Sequence, residues 1–566
     1  MTEIPSGTVA ARLALWAGTE PDKPAYIFRG TETDNERFVL TRGDLWNLSR
    51  RFAAIVRDAG VQKGEVVCNT LPNSPERLIT DLGLMVAGAV AMNGVVYLAD
   101  GADLMKCLTK ATVVAMVVDP HQKKGALTVL RERLVEPESG ILKCPGAPSI
   151  RKVFHVDCAR IPDGNALIAM PWLRQLKQKE RMFVEEGVDS GDRAFIFTIP
   201  GSTAYTTLVP RSHKQFIFMG EVCHDLMCLQ SDAILFNERA FGWMGGSCFD
   251  YLARGITRVL VDMTLPPGDL LGFCWDCVFA ERCSVVSLIP PHITESLERP
   301  QLWEGKNPKV NTIFTGGMPV TKEQAQAAGM ISQYVIITYS IIEAGFITQK
   351  IVTEKNKQQY HDGDMGKPFR SYRVKIFNDR GQEIDEKHPG VVGEVLVKGS
   401  QLFNGYLDNC MVDMSMKQQC FGDDGWYRTT DVGFYNRKGN LHIVCRKCNA
   451  IIRGVHIIYP EWLEQRIEKC PGVNECVIVP VPDPKMYQEM CCCIVRDETR
   501  TLNVDRLASY CKSLFSGDAG PEEIQVPPKY FLFFQAFPRQ ETGTNPDRRR
   551  IFANALTRLP LGGTSV

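Results

Sequence analysis

The spacing of apolar side chains along the chain switches repeatedly between helical and strand periods. Thr41–Gly60 (TRGDLWNLSRRFAAIVRDAG) sets Leu45, Leu48, Phe52, Ile55 and Val56 at helical spacing and ends in Gly, which predicts a helix. Glu65–Asn69 reads as a strand, and Ser74 with Pro75 behind it reads as the cap and first position of the next helix. The Gly- and Ala-containing run Leu82–Met92 suits a packed interior helix. Val113–Asp119 and Val153–Asp157 read as strands, as does the apolar start of Ala194–His213 (AFIFTIPGSTAYTTLVPRSH). Val259–Asp262, Ser284–Ile289, Thr312–Phe314 and Val335–Thr338 are short β-branched runs, each feeding a loop. Such alternation predicts parallel sheets covered by helices, with ligands at the carboxyl ends of the strands.

Near the C-terminus the pattern changes. Trp426, Tyr427 and the Val432–Tyr435 run are strand-like, with Asp431 just before the hairpin, Arg437-Lys438-Gly439-Asn440 as the turn and Leu441–Arg446 as the return strand. Helices over Glu461–Lys469 and Val504–Phe515 then mix with strands over Glu475–Val481, Cys491–Val495 and Tyr530–Phe534, the composition of a compact α+β module.

A chain of 566 residues is too long for one core. Its 65 basic and 65 acidic residues cancel, which argues against nucleic acid or an acidic membrane surface as the main partner. The 20 cysteines, three of them consecutive at Cys491-Cys492-Cys493, suit free thiols in a reducing compartment. The pairs Cys274–Cys277 and Cys445–Cys448 lie outside zinc-ribbon spacing and have no nearby His. The opening residues lack a basic leader and a full apolar core, and no run is long enough to span a bilayer. The expectation is a cytoplasmic protein, soluble or peripherally bound to membrane. The C-terminal Thr564-Ser565-Val566 has the form of a strand for a PDZ-type groove, the alternative being a frayed tail.

Five stretches carry chemistry on their residues alone. Asp431 can accept from two ribose hydroxyls, and Arg446 can neutralise phosphate. The Gly/Ser/Thr loop around Gly201, Ser202 and Thr203 can wrap phosphate with N–H groups and hydroxyls, or be an ordinary turn. Gly316 and Gly317 allow close backbone approach to a flat base. Tyr339 can stack, and Glu343 can hold Mg²⁺ through oxygen. Phe241, Trp243 and Met244, in NERAFGWMGGSCFDYL, wall an apolar substrate pocket or are plain core.

Together these stretches resemble the adenylate-forming family of acyl- and aryl-CoA ligases, insect-type luciferases and peptide-synthetase adenylation domains. Thr430-Asp431-Val432-Gly433 stands for its T-G-D-x-G, and Cys445–Ile451 for G-R-x-K-D-x-I. Ile458-Tyr459-Pro460-Glu461-Trp462-Leu463-Glu464 stands for N-I-Y-P-x-E-I-E, Thr315–Pro319 for S-G-G-x-P, and Tyr339–Glu343 for Y-G-x-T-E. Gly393-Glu394-Val395, Gly399 and Gly405-Tyr406 keep a further family spacing, read as structural.

The resemblance implies an α/β fold: a large N-terminal domain of parallel sheets with covering helices, a small barrel-like subdomain, and a smaller mobile α+β C-terminal domain. The boundary is expected between an AMP-binding domain, 1–445, and a lid domain, 446–566. It implies ATP and Mg²⁺, a small-molecule carboxylate, and CoA as a further acceptor. It also places Thr207, His213, Arg446 and Thr544 at catalytic positions, two of which depart from the family: Thr207 and Thr544 stand where its lysines stand. Ile342 replaces a phosphate-binding Thr, and Val455 the Gly at the CoA tunnel. Losing one preorganised donor commonly costs ~10²–10³ in rate; Arg548 and Lys214 are the cations within reach in sequence. Three activities stay open: acyl-CoA-synthetase-like activation, a squid-type ATP-dependent luciferase with a luciferin substrate, and a nucleotide-binding pseudoenzyme.

Overall fold

The computed structural model describes residues 7–30, 37–94, 102–121, 144, 146–163, 167–184, 187–199, 207–230, 232–305, 310–369, 372–378, 381–408, 411–412, 420–422, 424–453, 456–458, 460–483, 486–514, 527–540 and 545–559. By packing the chain forms two units, one of Met1–Arg373 with Lys398–Gly425, the other of Val374–Val397 with Trp426–Val566.

The first unit holds the two sheets that the βα alternation predicts. In the larger, the strands Ser332–Thr338, Val310–Gly316, Val285–Ser287, Ile234–Phe236, Thr257–Val261 and Pro24–Arg29 lie side by side in that order, all parallel. Antiparallel strands flank them at Arg37–Thr41 and Thr348–Thr353. The smaller sheet runs Arg193–Ile199, Val90–Asn93, Val66–Asn69, Ala115–Val118 and Lys152–His155 in parallel, with Thr207–Ser212 returning antiparallel to the first of them.

Local chemistry sets the helix starts. Thr41 caps the helix Arg42–Asp58 in a capping box with Asp44, and Ser74 caps Pro75–Val86 with Pro at its first turn. The Leu82–Met92 run is not one helix. The helix stops at Val86, Gly88 takes φ +74°, and Val90–Asn93 continues as a strand. The left-handed turn at Gly88 ends the helix, and a parallel neighbour on either side completes the strand's ladder.

The strands Tyr372–Phe377, Gly393–Gly399, Tyr427–Tyr435 and Leu441–Arg446, whose residues fall mostly in the second unit, are neighbours in a small sheet. Asp431 lies inside the hairpin's first strand rather than before it. A second sheet joins Ile451–Arg453, Tyr487–Arg496 and Val473–Asp483, with Tyr530–Phe534 parallel to the middle one. Helices Pro460–Ile467, Val504–Leu514 and Arg548–Arg558 belong to the same unit. Its core takes Val432, Val444 and Cys445 from the hairpin together with Ile478, Cys492 and Leu507. The consecutive cysteines are buried strand residues, and Cys476 and Cys492 sit with Sγ atoms 3.6 Å apart as thiols. No helix among the described residues is long and apolar enough to cross a membrane.

Candidate nucleotide and acyl site

The hairpin Tyr427–Arg446 departs from a regular ladder at one place. Glu394 pairs with Val432 and Leu396 with Arg428, so Val395 faces three residues, Thr429 to Asp431. The bulge is held by the Thr429 hydroxyl, which donates to the Val395 carbonyl at 2.7 Å and accepts from the Asp431 N–H at 3.1 Å. Thr430 takes φ +60°, a left-handed conformation rare for a β-branched residue. It stands where the resemblance puts a glycine. The outcome is a buried Asp431, 4% exposed, lying 2.8 Å from Nε of the cross-strand Arg446, whose side chain is 56% exposed. Bulges of this kind re-aim a side chain out of the ladder.

The first unit carries the other candidates. Gly316 ends the strand Val310–Gly316, where a Cβ would lie 2.5 Å from the Thr338 carbonyl oxygen; Gly317 follows with φ +78° and open space beside it. Tyr339 is buried, its N–H donating to the Thr348 hydroxyl at 3.1 Å. Glu343 is half-buried and oriented: the Tyr406 hydroxyl donates to its Oε1 at 2.7 Å, and the Phe403 N–H donates to its carbonyl at 2.9 Å. Mg²⁺ takes one or two carboxylates beside water and phosphate oxygens, so a single oriented glutamate fits it.

Arg211, which no motif singles out, completes this arrangement. Its side chain is fully buried and donates to the carbonyls of Gln401 and Ile342, tying the Thr207–Ser212 strand to the loop that carries Glu343. An arginine directly after the apolar run Leu208-Val209-Pro210 is the one signal of it in the sequence. Thr207 is half-buried at the start of that strand. His213 begins the helix His213–Leu226 with its ring out of solvent, and Lys214 beside it is exposed. The His213 Nδ1 accepts from the Val9 N–H at 3.2 Å, and burial lowers the ring's pKa from 6.5 to about 4. Those contacts tie it to the N-terminal helix. Ser202, Thr203, Thr544, Val455 and the segment Thr564–Val566 lie outside the described residues.

The segment after Ile234–Phe236 is pinned by Asn73. Its amide nitrogen donates to the Glu238 and Arg239 carbonyls, both at 3.1 Å, and its oxygen accepts from the Phe241 N–H at 2.9 Å. Phe241 is buried in an aromatic cluster with Tyr26 and Phe28, under the Arg258 guanidinium at 5.0 Å. Met244 is buried and Trp243 half-buried. In the second unit Arg548 is engaged: it bonds Glu464 Oε1 at 2.8 Å and the Ile478 carbonyl at 3.2 Å.

Parallel strands that end in a glycine pair and an oriented carboxylate make an α/β architecture of the nucleotide-handling kind. The chain belongs to the family of AMP-binding enzymes, whose model matches residues 13–407. It is 22% identical over 535 residues to a long-chain-fatty-acid–CoA ligase of Mycobacterium tuberculosis, covering 93% of this chain and 94% of the relative. It is also 22% identical to a mitochondrial medium-chain acyl-CoA ligase of Bos taurus, covering 95% and 86%. Among solved structures, o-succinylbenzoate CoA synthetase of Bacillus subtilis with its acyl-adenylate intermediate superposes with TM-score 0.76 at 17% identity, covering 97% and 98%. ATP-bound MatB of Rhodopseudomonas palustris does so with TM-score 0.75 at 19% identity, covering 96% and 98%.

Proposed function

We propose that the chain binds Mg·ATP and activates a carboxylic acid as its acyl-adenylate, in the manner of an acyl-CoA synthetase. The carboxylate oxygen attacks the α-phosphorus, the bond from that phosphorus to the bridging oxygen breaks, and pyrophosphate leaves. In the second step a CoA thiolate displaces AMP from the acyl carbon. The observation that carries this reading is the bulge that buries Asp431 and sets it against Arg446, because only a two-oxygen acceptor in a fixed place reads both ribose hydroxyls. In this reading Gly316 and Gly317 admit the adenine, Tyr339 stacks on it, and Ser202, Thr203 and Thr207 face phosphate. Glu343 would hold Mg²⁺, which supplies charge neutralisation at the phosphates when bound. His213, out of solvent, positions the helix that follows the phosphate loop. Residues after 445 act as the moving lid. The buried free thiols support a reducing compartment.

A second reading, a pseudoenzyme that binds nucleotide without turning it over, is favoured by one observation. Threonines stand at both lysine positions, and Arg548 is already paired with Glu464. Calorimetry with Mg·ATP and pyrophosphate exchange across a panel of carboxylic acids separate the two. Binding with exchange supports the ligase. Binding without exchange supports the pseudoenzyme, and no binding removes both.

A further inference from the structure

In the large sheet the strand Ile234–Phe236 lies between Thr257–Val261 and Val285–Ser287. The chain leaves it toward Thr257–Val261 and leaves Val285–Ser287 in the opposite direction, toward Val310–Gly316. The crevice between the carboxyl ends of Ile234–Phe236 and Val285–Ser287 is therefore the topological switch point of the sheet, where α/β proteins take their ligands. Two titratable side chains meet there. Glu238 stands two residues beyond the first strand, and His292 stands in the first turn of the helix Pro290–Glu298 that follows the second. Glu238 Oε1 lies 3.3 Å from His292 Nδ1.

The other carboxylate oxygen is what sets this pair apart. The Glu238 side chain is only 8% exposed, yet its Oε2 is shut from solvent and accepts from no donor among the described residues. Three other buried carboxylates of the same unit are satisfied at both oxygens. Glu76 accepts at both from Arg160 at 2.9 Å. Asp81 accepts from Asn69 and Arg77 at 2.8 and 2.7 Å, and Asp262 from Thr264 and Arg160, both at 2.7 Å. An unmet buried carboxylate oxygen carries the full cost of its desolvation unless a ligand completes it. The backbone behind Glu238 cannot easily shift to relieve it, because Asn73 holds its carbonyl.

We infer that Glu238, backed by His292, is a specificity-determining acceptor for a hydrogen-bond donor on the substrate, so that the acid activated is a hydroxy- or amino-substituted carboxylic acid rather than a plain alkanoic one. The inference rests on the adenylate-forming reading above. The two donor chemistries differ in charge: an ammonium would pair with the carboxylate, whereas a hydroxyl would only donate to it.

Binding of stable acyl-adenylate mimics tests the inference without turnover. The probes are 5′-O-(N-acylsulfamoyl)adenosines of straight-chain acids with about four to ten carbons, long enough to sample the depth of an acyl pocket. Each is made as the plain, ω-hydroxy and ω-amino form, with the benzoyl and hydroxybenzoyl pair, and measured by calorimetry on the full chain. The expected result is at least ~10-fold tighter binding of a donor-bearing member over its plain partner, a preference that Glu238→Leu erases. Glu238→Gln should keep a hydroxyl preference and lose an amino one, which identifies the donor. Plain probes that bind as tightly as their donor-bearing partners overturn the inference and leave the adenylate reading standing. Failure of every probe to bind overturns the adenylate reading itself. Thermal unfolding of Glu238→Leu serves as the control for folding: removing an unmet buried carboxylate should leave Tm unchanged or raised, and a loss of fold would show that Glu238 is a structural group instead.

Discussion

Two hairpins carry residues proposed for the nucleotide, and they use arginine in opposite ways. On Tyr427–Arg446 the arginine side chain is 56% exposed and lies 2.8 Å from a buried acid. On Arg193–Ser212 the arginine is wholly buried and donates to backbone carbonyls of Ile342 and Gln401, while Thr207 is proposed to stand at the lysine position that the resemblance implies. The first hairpin presents its charge; the second consumes its charge in holding the Glu343 loop. The proposed nucleoside determinants are made by backbone shape, a bulge and two glycines. The phosphate determinants depend on side-chain charge, which single substitutions remove without disturbing the fold. The two can therefore diverge separately.

The largest effect is expected where shape and charge coincide. Asp431→Ala should weaken ATP binding by ~100-fold or more, since each charge-assisted hydrogen bond to a ribose hydroxyl contributes about 1.5–3 kcal/mol. Arg446 is exposed enough for water to take over its pairing, so stability should change little. Calorimetry showing unchanged affinity would break the comparison, because the intact hairpin would then have nothing to do with nucleotide.

Next comes His213, which directly follows the second hairpin. Burial lowers its pKa from 6.5 to about 4, so as pH falls the unfolded chain takes up the proton first. The neutral imidazole's contribution is complete above about pH 6.5 and lost progressively down to about pH 4, a difference of about 3 kcal/mol. Urea unfolding at pH values from about 7 down to about 4, wild type against His213→Gln, should show the slope in the difference between the two proteins. A parallel pair of curves would mean that the ring is reached by water and that this end of the hairpin is open after all.

Most of the framework is legible in the chain because its signals are local. Ser74, Pro75, Thr41 and the Arg437–Asn440 turn act over a few residues, and the β-branched runs mark the parallel strands. What local signals do not reach is anything set by long-range packing. The Leu82–Met92 run carries no internal sign of where helix gives way to strand except Gly88, and apolar composition alone fits both. Arg211 depends on partners 190 and 131 residues away in the chain, which no spacing rule connects, and Glu238 and His292 meet only because two strands lie side by side in the sheet. Asp431 is legible as an acid beside a hairpin, but the bulge that buries it is a property of the pairing with Val395.

Third come the two threonines proposed to stand at lysine positions. Thr207→Lys with Thr544→Lys should raise pyrophosphate exchange by ~10-fold or more, equal to about 1.4 kcal/mol of barrier, because an ammonium stabilises the developing phosphate charge better than a hydroxyl does. ATP affinity should change less than the exchange rate. If exchange stays flat while ATP still binds, the second hairpin has diverged beyond repair by charge alone, and the pseudoenzyme reading gains. Arg548→Ala belongs in the same experiment. Since Arg548 is held by Glu464, its loss should act on the stability of the second unit before it acts on exchange.

The smallest effect expected is at Thr430, and it asks whether backbone shape on the first hairpin is really independent of side chain. A β-branched residue at φ +60° is strained by an amount on the order of 1–3 kcal/mol, held in place here by the Thr429 bonds on one side and the Arg446 pairing of Asp431 on the other. Glycine occupies that region without the steric cost, at the expense of a more flexible unfolded chain. The two terms oppose each other, so Thr430→Gly should stabilise by about 1 kcal/mol, read as a small rise in Tm of the unfolding step that reports the second unit. Because the bulge is fixed by Thr429, Val395 and Arg446 rather than by the Thr430 side chain, ATP affinity should stay within about 2-fold of wild type. A stabilised variant that loses ATP would mean that the Thr430 hydroxyl or its strain is part of the nucleotide site, and that the first hairpin, like the second, has moved its chemistry onto a side chain.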